Sequence, residues 1–360
     1  MKSIIAWVQA VIVKPVPELD LSPIQGKPHG KLRLSPEQVL AVIHASALAD
    51  WALEMSRRVG RPRLPRGRGG RPALYAARSI LLMAVVQSLW RKSYEQMVDW
   101  VATNESLALA LGFTRRTAAG RVQTISKGQY WERRAALGIL PFLFFFLALV
   151  AQLVRLGAIA GKELIVDSTL IAAWRKADPG AAWQRYAGKA ALFGYKVHTV
   201  LCRQADLPVF VLVTPANVHD ALVGWLIVLV SVLLYGLRVL VVYADAAYFD
   251  RRFLRVVFEM LGAHAAVDYN VRRAGKRKLA QPFFLRQWRR LVLGPRSAIE
   301  RHFAWLKRYF GLTTFQCFTF QRVCQFVLLT YIAVLAVALA AQRYERPELV
   351  RSRSMVLAHV

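Results

Sequence analysis

Two aspartates, Asp167 and Asp245, each end a run of apolar residues, 164–166 and 239–244. A charged side chain at the end of a buried strand is costly unless it is paired or binds a metal ion. A single aspartate of this kind could simply cap its strand. Two that meet on neighbouring strands could supply oxygen ligands to a hard divalent cation.

A third carboxylate, Glu300, lies in the segment PRSAIERHFAWLKRYFGL, residues 295–312. At about 100° per residue, Arg296, Glu300 and Lys307 fall within a helical sector roughly 40° wide. An apolar stripe lies directly beside this sector and consists of Ile299, Phe303, Leu306 and Phe310. The pattern places Glu300 at the edge of a buried face, where it could join the aspartates. The alternative is an amphipathic helix with a solvated basic face and Glu300 as a salt-bridge partner.

Charge and hydropathy give two classes of partner. The 360 residues include 50 Lys+Arg against 21 Asp+Glu, a formal net charge of +29. Such an excess indicates an anionic partner, either nucleic acid or an acidic membrane surface. The 56% apolar content keeps a basic membrane protein as an alternative, and only the run 323–341 approaches the roughly 20 residues of a span. We expect this run to be a buried helix in which Gln325 and Thr330 find partners.

Other motifs limit the compartment and the cofactors. The three cysteines form no CxxC pair, which favours a reducing, cytoplasmic environment. The N-terminal stretch 1–15 lacks a clear cleavage site, so we expect no signal peptide. Neither a P-loop nor a GxGxxG fingerprint is present, so the sequence implies neither ATP nor NAD.

The first half of the chain reads as basic and mostly helical. Ser35-Pro36-Glu37-Gln38 predicts a helix start, and one helix is expected from there to about Arg57. Residues 57–72 form an Arg/Gly/Pro-rich arm that could contact phosphates or remain a solvated linker. Two or three short helices are predicted over 73–112, with a capping box at Ser93, and an apolar helix begins near Leu137.

From Gly161 the pattern changes to strands and helices. Strands are predicted over 163–170, 195–203, 208–215 and 238–245, a helix over 219–234, a helix from 250 to 262, and a fifth strand after it. This order predicts an α/β fold with a ribonuclease-H-like mixed sheet flanked by helices. We expect four segments: 1–72, a helical DNA-binding region 73–160, a catalytic domain 161–345 and a tail 346–360.

Over residues 161–343 the sequence resembles the DDE-type transposases of bacterial insertion sequences. The motifs that carry the resemblance are IVDST around Asp167, GYKVH (194–198), LPVFVLVTPANVHD (207–220), YADAAYFD (243–250) and the R-x3-E-x6-K spacing of Arg296, Glu300 and Lys307. Gly70-Arg71-Pro72 and the helices after it resemble the family's N-terminal region. Where the fuller motif has a tyrosine before the arginine, this chain has Leu293.

The resemblance implies a function. Asp167, Asp245 and Glu300 would be catalytic and would ligate two Mg²⁺ or Mn²⁺ ions, and Arg296 and Lys307 would hold phosphates at the element ends. The partner would be double-stranded DNA, with a homo-oligomer as the active complex and no membrane. The alternatives are a nuclease of the same fold without strand transfer and a non-catalytic DNA-binding protein.

Further candidates follow from side-chain type alone. Basic residues predicted to contact DNA are Arg66, Arg68, Arg71, Arg272, Arg273, Lys276, Arg277, Lys278, Arg289 and Arg290. His198 and His219 lack a metal-binding spacing, so hydrogen-bonding roles are favoured for them. Stacking on a flipped base is an alternative to packing for Trp174, Trp183 and Trp288.

Overall fold

The computed structural model describes residues 24, 29–44, 47–60, 75–185, 190–267, 294–313 and 316–359. Within these ranges the chain forms two compact units. Gly157–Phe320 form the sheet unit, whereas the residues up to Leu156 and those from Gln321 onward form the helical unit. These units group the residues differently from the four segments expected from the sequence.

The N-terminal part of the helical unit contains seven helices in the described ranges: α1 Pro36–His44, α2 Leu48–Val59, α3 Ala77–Trp90, α4 Tyr94–Thr103, α5 Glu105–Ala110, α6 Lys127–Ala136 and α7 Leu140–Arg155. The capping boxes predicted at Ser35 and Ser93 are present, since each side chain accepts from the backbone three residues later. The single helix expected over 35–57 is wrong. Ala47 adopts a left-handed backbone, with φ 48°, and α2 starts anew after it.

The described residues of the sheet unit form six strands: β1 Glu163–Ala172, β2 Ala182–Gln184, β3 Leu192–Cys202, β4 Leu207–Pro215, β5 Val241–Ala244 and β6 His264–Val267. β4, β3 and β1 are antiparallel neighbours, whereas β5 and β6 run parallel to β1. The five principal strands therefore have the order β4-β3-β1-β5-β6, and the short β2 pairs with the start of β3. This order confirms the ribonuclease-H-like mixed sheet.

Helices cover the sheet at the predicted places. α8 spans Asp220–Tyr235, α9 spans Arg251–Arg255 and continues as a π turn to Met260, and α10 spans Ser297–Tyr309. The apolar stripe predicted on α10 is buried: Ile299, Phe303, Leu306 and Phe310 are all at most 6% exposed. Because this stripe is buried, the side chains next to it on α10 lie at the edge of the buried face of the helix.

α11, Phe320–Arg343, is the long apolar helix, and α12, Arg353–Val356, follows it. By length and composition α11 could cross a membrane, and two bent helix pairs, α1 with α2 and α6 with α7, could raise the number of such spans to three. In the fold, 94% of the most apolar 18-residue window of α11 is buried. The Gln325 side chain donates to the carbonyls of Arg134 and Gly138, and Thr330 donates to Phe326. The expectation of a buried helix with partnered polar groups is confirmed.

The two sequence segments of the helical unit are joined by direct hydrogen bonds. The Ser88 hydroxyl donates to the carbonyl of Leu329 at 3.0 Å, and the Trp90 indole donates to that of Ala358 at 3.0 Å. The core of this unit is thus built from residues that lie on both sides of the sheet unit in the sequence.

Candidate active site

The strand register brings Asp167 and Asp245 together. β1 and β5 are parallel neighbours with Val166 paired to Ala244, so each aspartate is the next residue after a matched pair. The Asp167 carboxylate accepts from the amide of Ser168 at 2.8 Å, and the Asp245 carboxylate accepts from the amide of Ala246 at 2.7 Å. The two aspartates therefore lie on neighbouring strands, as the sequence predicted, with Asp167 inside β1 and Asp245 directly after the end of β5.

Glu300 is connected to Asp167 through Arg296. One guanidinium nitrogen of Arg296 donates to Asp167 at 3.3 Å, and another donates to Glu300 at 2.9 Å. The side chain of Asp167 is 18% exposed, that of Arg296 26% and that of Glu300 58%. One arginine thus bridges a nearly buried carboxylate on β1 and an exposed one on α10, so Glu300 is a salt-bridge partner that is linked to Asp167.

The surroundings of Asp167 disfavour its charged form. Burial is the largest cause; together with the nearby carboxylates of Asp245 and Asp220, and against the lowering effects of the Ser168 amide and Arg296, it brings the pKa of Asp167 to about 7. A carboxyl group whose pKa is raised in this way gains from any additional cation close to it. The edge of the sheet thus favours the approach of positive charge.

Asp220, at the start of α8, is a member of this cluster that sequence reasoning did not single out. Its carboxylate accepts from the Ser168 hydroxyl at 2.6 Å and from the Lys196 ammonium at 3.2 Å. Lys196 and His198 are buried, and Nδ1 of His198 lies 3.5 Å from Asp220. The signal was present in GYKVH, because a lysine in the middle of a buried strand requires an acidic or carbonyl partner.

Tyr248 packs beneath the same cluster. Its side chain is fully buried, and burial raises its phenolic pKa well above the ordinary value, with Asp220 and Asp167 adding to the effect. α8 approaches the ring closely at Gly224, where a Cβ atom would lie 2.3 Å from a ring carbon. A glycine is therefore required on α8 for the helix to pack against this ring.

The residues of this edge fit a divalent metal in chemistry but are not arranged as a preformed cage. Among the described residues, no three Asp, Glu, His or Cys side chains lie close enough together to hold one ion. Carboxylate oxygens are nonetheless the ligands that Mg²⁺ and Mn²⁺ prefer, and burial makes the charged form of Asp167 costly unless a cation accompanies it. The Arg296 guanidinium supplies positive charge between Asp167 and Glu300.

Lys307 and the histidines occupy distinct environments. Lys307 is half-buried on α10, and burial lowers its pKa. Nε2 of His198 is 2.9 Å from the Thr214 hydroxyl, and His219 caps α8 by accepting from the amide of Ala221 at 3.2 Å. Both histidines therefore make hydrogen bonds, the role that the sequence favoured.

The remaining candidates divide into exposed and undescribed residues. Trp174 and Trp183 are 51% and 53% exposed, and the Trp183 ring packs on Phe193. Trp288 and the basic candidates Arg66, Arg68, Arg71, Arg272, Arg273, Lys276, Arg277, Lys278, Arg289 and Arg290 lie outside the described residues.

A comparison with protein families decides the assignment. The family model described as a transposase DDE domain matches residues 160–336, the segment that holds Asp167, Asp245 and Glu300. Residues 160–336 belong to the transposase DDE domain family. The DDE domain is thus of an enzyme family whose members are metal-dependent nucleases and transposases, which confirms the resemblance seen in the sequence.

Solved structures give weaker similarities. The piggyBac transposase in its synaptic complex with hairpin DNA is 9% identical, with a TM-score of 0.41, over 93% of this chain and 80% of its own. The Mos1 transposase in its paired-end complex with the left transposon end is 10% identical, with a TM-score of 0.21, over 77% and 95%. No curated protein sequence matches the chain. The assignment of the DDE domain rests on its own strand order and on the family match.

Proposed function

We propose that the chain is the DNA transposase of a bacterial insertion sequence. It hydrolyses a phosphodiester at each element end and joins the freed 3′-hydroxyl to target DNA. The observation that carries this proposal is the alignment of Asp167 and Asp245 on parallel strands of a DDE domain, with Glu300 linked to Asp167 through Arg296.

The proposed division of labour follows the chemistry of the side chains. Asp167, Asp245 and Glu300 would hold two Mg²⁺ or Mn²⁺ ions. When bound, such ions supply the nucleophile and neutralise charge on the transferred phosphoryl group. Arg296 already lies between two carboxylates, and its remaining N–H groups would donate to a phosphate in a charge-assisted contact. Lys307 would contribute a second positive charge from the same face of α10.

The partner in this proposal is double-stranded DNA, both element ends and target. The net charge of +29 supports it, because phosphate neutralisation by Lys and Arg supplies most of the affinity of such complexes. The active complex is proposed to be a homo-oligomer that acts on cytoplasmic DNA. We propose further that the basic arm 57–72, the helices after it and the basic run 272–290 contribute DNA contacts outside the DDE domain.

The direct test is cleavage of a labelled element end in Mg²⁺ or Mn²⁺, measured beside a gel shift on the same DNA. Asp167→Asn, Asp245→Asn and Glu300→Gln should each lose cleavage by several orders of magnitude while still shifting the DNA. Glu259→Gln is the matched control, because Glu259 is an exposed acid of the same unit that pairs with Arg255, four residues earlier along the chain. Parental cleavage by the Asp245 variant would refute the three-carboxylate site.

A second comparison separates phosphate contacts from ligands. Lys307→Ala should weaken binding of the end, with little change in the Mg²⁺ concentration needed, whereas the exposed neighbour Arg308→Ala should behave as the parent. Cleavage without strand joining would favour the nuclease alternative. DNA binding without cleavage in either metal would favour the non-catalytic alternative.

A further inference from the structure

A short turn between α5 and α6 projects arginines into solvent. Residues 115–123, here called the arginine turn, fold back on themselves through two backbone hydrogen bonds. The amide of Thr117 donates to the carbonyl of Arg121 at 2.8 Å and the amide of Gln123 donates to that of Arg115 at 2.7 Å, which together make Arg116 and Val122 an antiparallel bridge. All residues from 114 to 121 are exposed. The fold thus builds an ordered projection whose side chains do not contribute to the core.

The arginine turn is braced at its tip and at its base. The Arg116 guanidinium donates to the carbonyl of Gly120 at 2.5 Å and pairs with Glu105 of α5 at 2.8 Å. At the base, the Tyr75 hydroxyl donates to the carbonyl of Thr124 at 2.9 Å, and its ring packs edge-on against Phe113. One arginine is therefore used to hold the shape.

The other two arginines, Arg115 and Arg121, flank a tip whose residues have small side chains. In the described part of the chain neither forms an ion pair. The tip between them is Thr117-Ala118-Ala119-Gly120, and the whole segment 115–134 contains six Lys and Arg against the single acid Glu132. Small residues let the backbone approach a partner closely, and flanking guanidiniums match phosphate oxygens with paired donors.

We propose that the arginine turn is a DNA-contact element of the helical unit, with its tip in a groove of duplex DNA and Arg115 and Arg121 on the bordering phosphates. A major groove about 12 Å wide admits two backbone segments side by side. An acidic membrane surface is the poorer partner, because the tip carries no large apolar side chain to enter the lipid interface. The inference rests on the proposed function, since it assigns the helical unit its own contact with the DNA.

The test is the salt dependence of binding to an element-end duplex, followed by fluorescence anisotropy across a range of KCl concentrations. Each lost phosphate contact lowers the slope of log K against log salt by about 0.9, so Arg115→Ala/Arg121→Ala should lower it by nearly two units. Lys31→Ala/Lys92→Ala removes two charges elsewhere in the same unit and should leave the slope near that of the parent. Equal slopes for the arginine variant and the parent would overturn the proposal.

Gly120→Ala tests the shape while keeping every charge. Gly120 has φ +75°, a left-handed backbone that alanine resists, although a Cβ atom there would meet nothing within 4 Å. This variant should fold, bind the duplex several-fold more weakly and show a reduced slope. Parental binding by Gly120→Ala would mean that diffuse charge, rather than a shaped turn, attracts the DNA.

Two further measurements distinguish a failure of this inference from a failure of the proposed function. If anionic vesicles, but not duplex DNA, lose affinity in the arginine variant, the turn is a membrane contact and the proposal is wrong. Cleavage by the parent on the same duplex tests the proposed function separately. If the parent cleaves the duplex and the arginine variant binds it as the parent does, only the inference about the turn is wrong.

Discussion

The guanidinium of Arg296 lies 3.3 Å from the carboxylate of Asp167, although the two residues are far apart in the sequence. This contact joins the start of α10 to the edge of the sheet. Because the same guanidinium also pairs with Glu300, the metal-ligand and salt-bridge interpretations of Glu300 need not exclude each other. Arg296 therefore holds the carboxylates of Asp167 and Glu300 together.

Removing this cation should move the titration of Asp167. Since Arg296 lowers the pKa of Asp167, Arg296→Gln should raise that pKa, and Mn²⁺ binding should need a pH higher by about one unit. The measurement is Mn²⁺ affinity by calorimetry as a function of pH. Arg301→Gln is the control, because Arg301 donates to Ser297 on the same helix instead. Identical pH profiles for the two variants would count against the bridging role.

Asp167 should also make stability depend on pH in the absence of metal. Its pKa is about 7 in the fold against 3.8 ordinarily, so the folded protein holds a proton that the unfolded chain has released. The stabilisation is complete below about pH 4 and is lost as the pH rises through about 7. The Asp167→Asn variant does not lose this stabilisation. As the pH rises from about 4 to above 7, its melting temperature in EDTA should therefore rise relative to that of the parent. Saturating Mg²⁺ should reduce the difference, whereas parallel melting curves at all pH values would contradict the assignment.

The contact between Ser168 and Asp220 should position Asp167. Ser168→Ala should cost about 1.5–3 kcal/mol, the range for a hydrogen bond to a charged group. Asp220→Asn should cost more, because it removes the charge partner of the buried Lys196. The double variant should destabilise less than the sum, with a coupling of about 0.5–3 kcal/mol in urea unfolding. Both single variants should need more Mg²⁺ for half-maximal cleavage. Strict additivity with unchanged metal dependence would make the contact merely structural.

α11 provides a test of burial that is independent of the site. Gln325→Leu removes the donor for two carbonyls and should lower the free energy of unfolding by about 1–3 kcal/mol. Thr330→Val should cost less, because the hydroxyl of Thr330 donates to the carbonyl of Phe326 in its own helix. Urea unfolding of the detergent-free protein gives both values. Recovery of folded protein only from membranes would refute the buried position of α11.

The placement of Asp167 and Asp245 on neighbouring strands was predictable from the sequence, because it depends on short-range patterns. Asp167 and Asp245 each follow a run of β-branched and apolar residues, and the order of elements forces their strands to be neighbours. Arg296 and Glu300 were paired by helical spacing. The direct contact of Arg296 with Asp167 could not be predicted, because it depends on where α10 packs against β1.

The parts that sequence reasoning missed are long-range or backbone-specific. Asp220 looked like an ordinary acid in the first turn of a helix, and only tertiary packing brings Lys196 and Ser168 to it. The break before α2 depends on the left-handed conformation of Ala47, a residue type that seldom adopts it. Alanine gives no local signal for such a break.

The placement of α11 has a consequence for synthesis on the ribosome. The chain leaves the helical unit at Leu156 and returns at Gln321, so the sheet unit is inserted into it. The first helices therefore emerge long before the helix that completes their core, and their apolar surfaces depend on other protection until translation passes Arg343. A gene copy truncated before Phe320 would still encode Asp167, Asp245 and Glu300, yet its product should aggregate or be degraded. Loss of the downstream end of the gene is then a loss of foldability before it is a loss of chemistry.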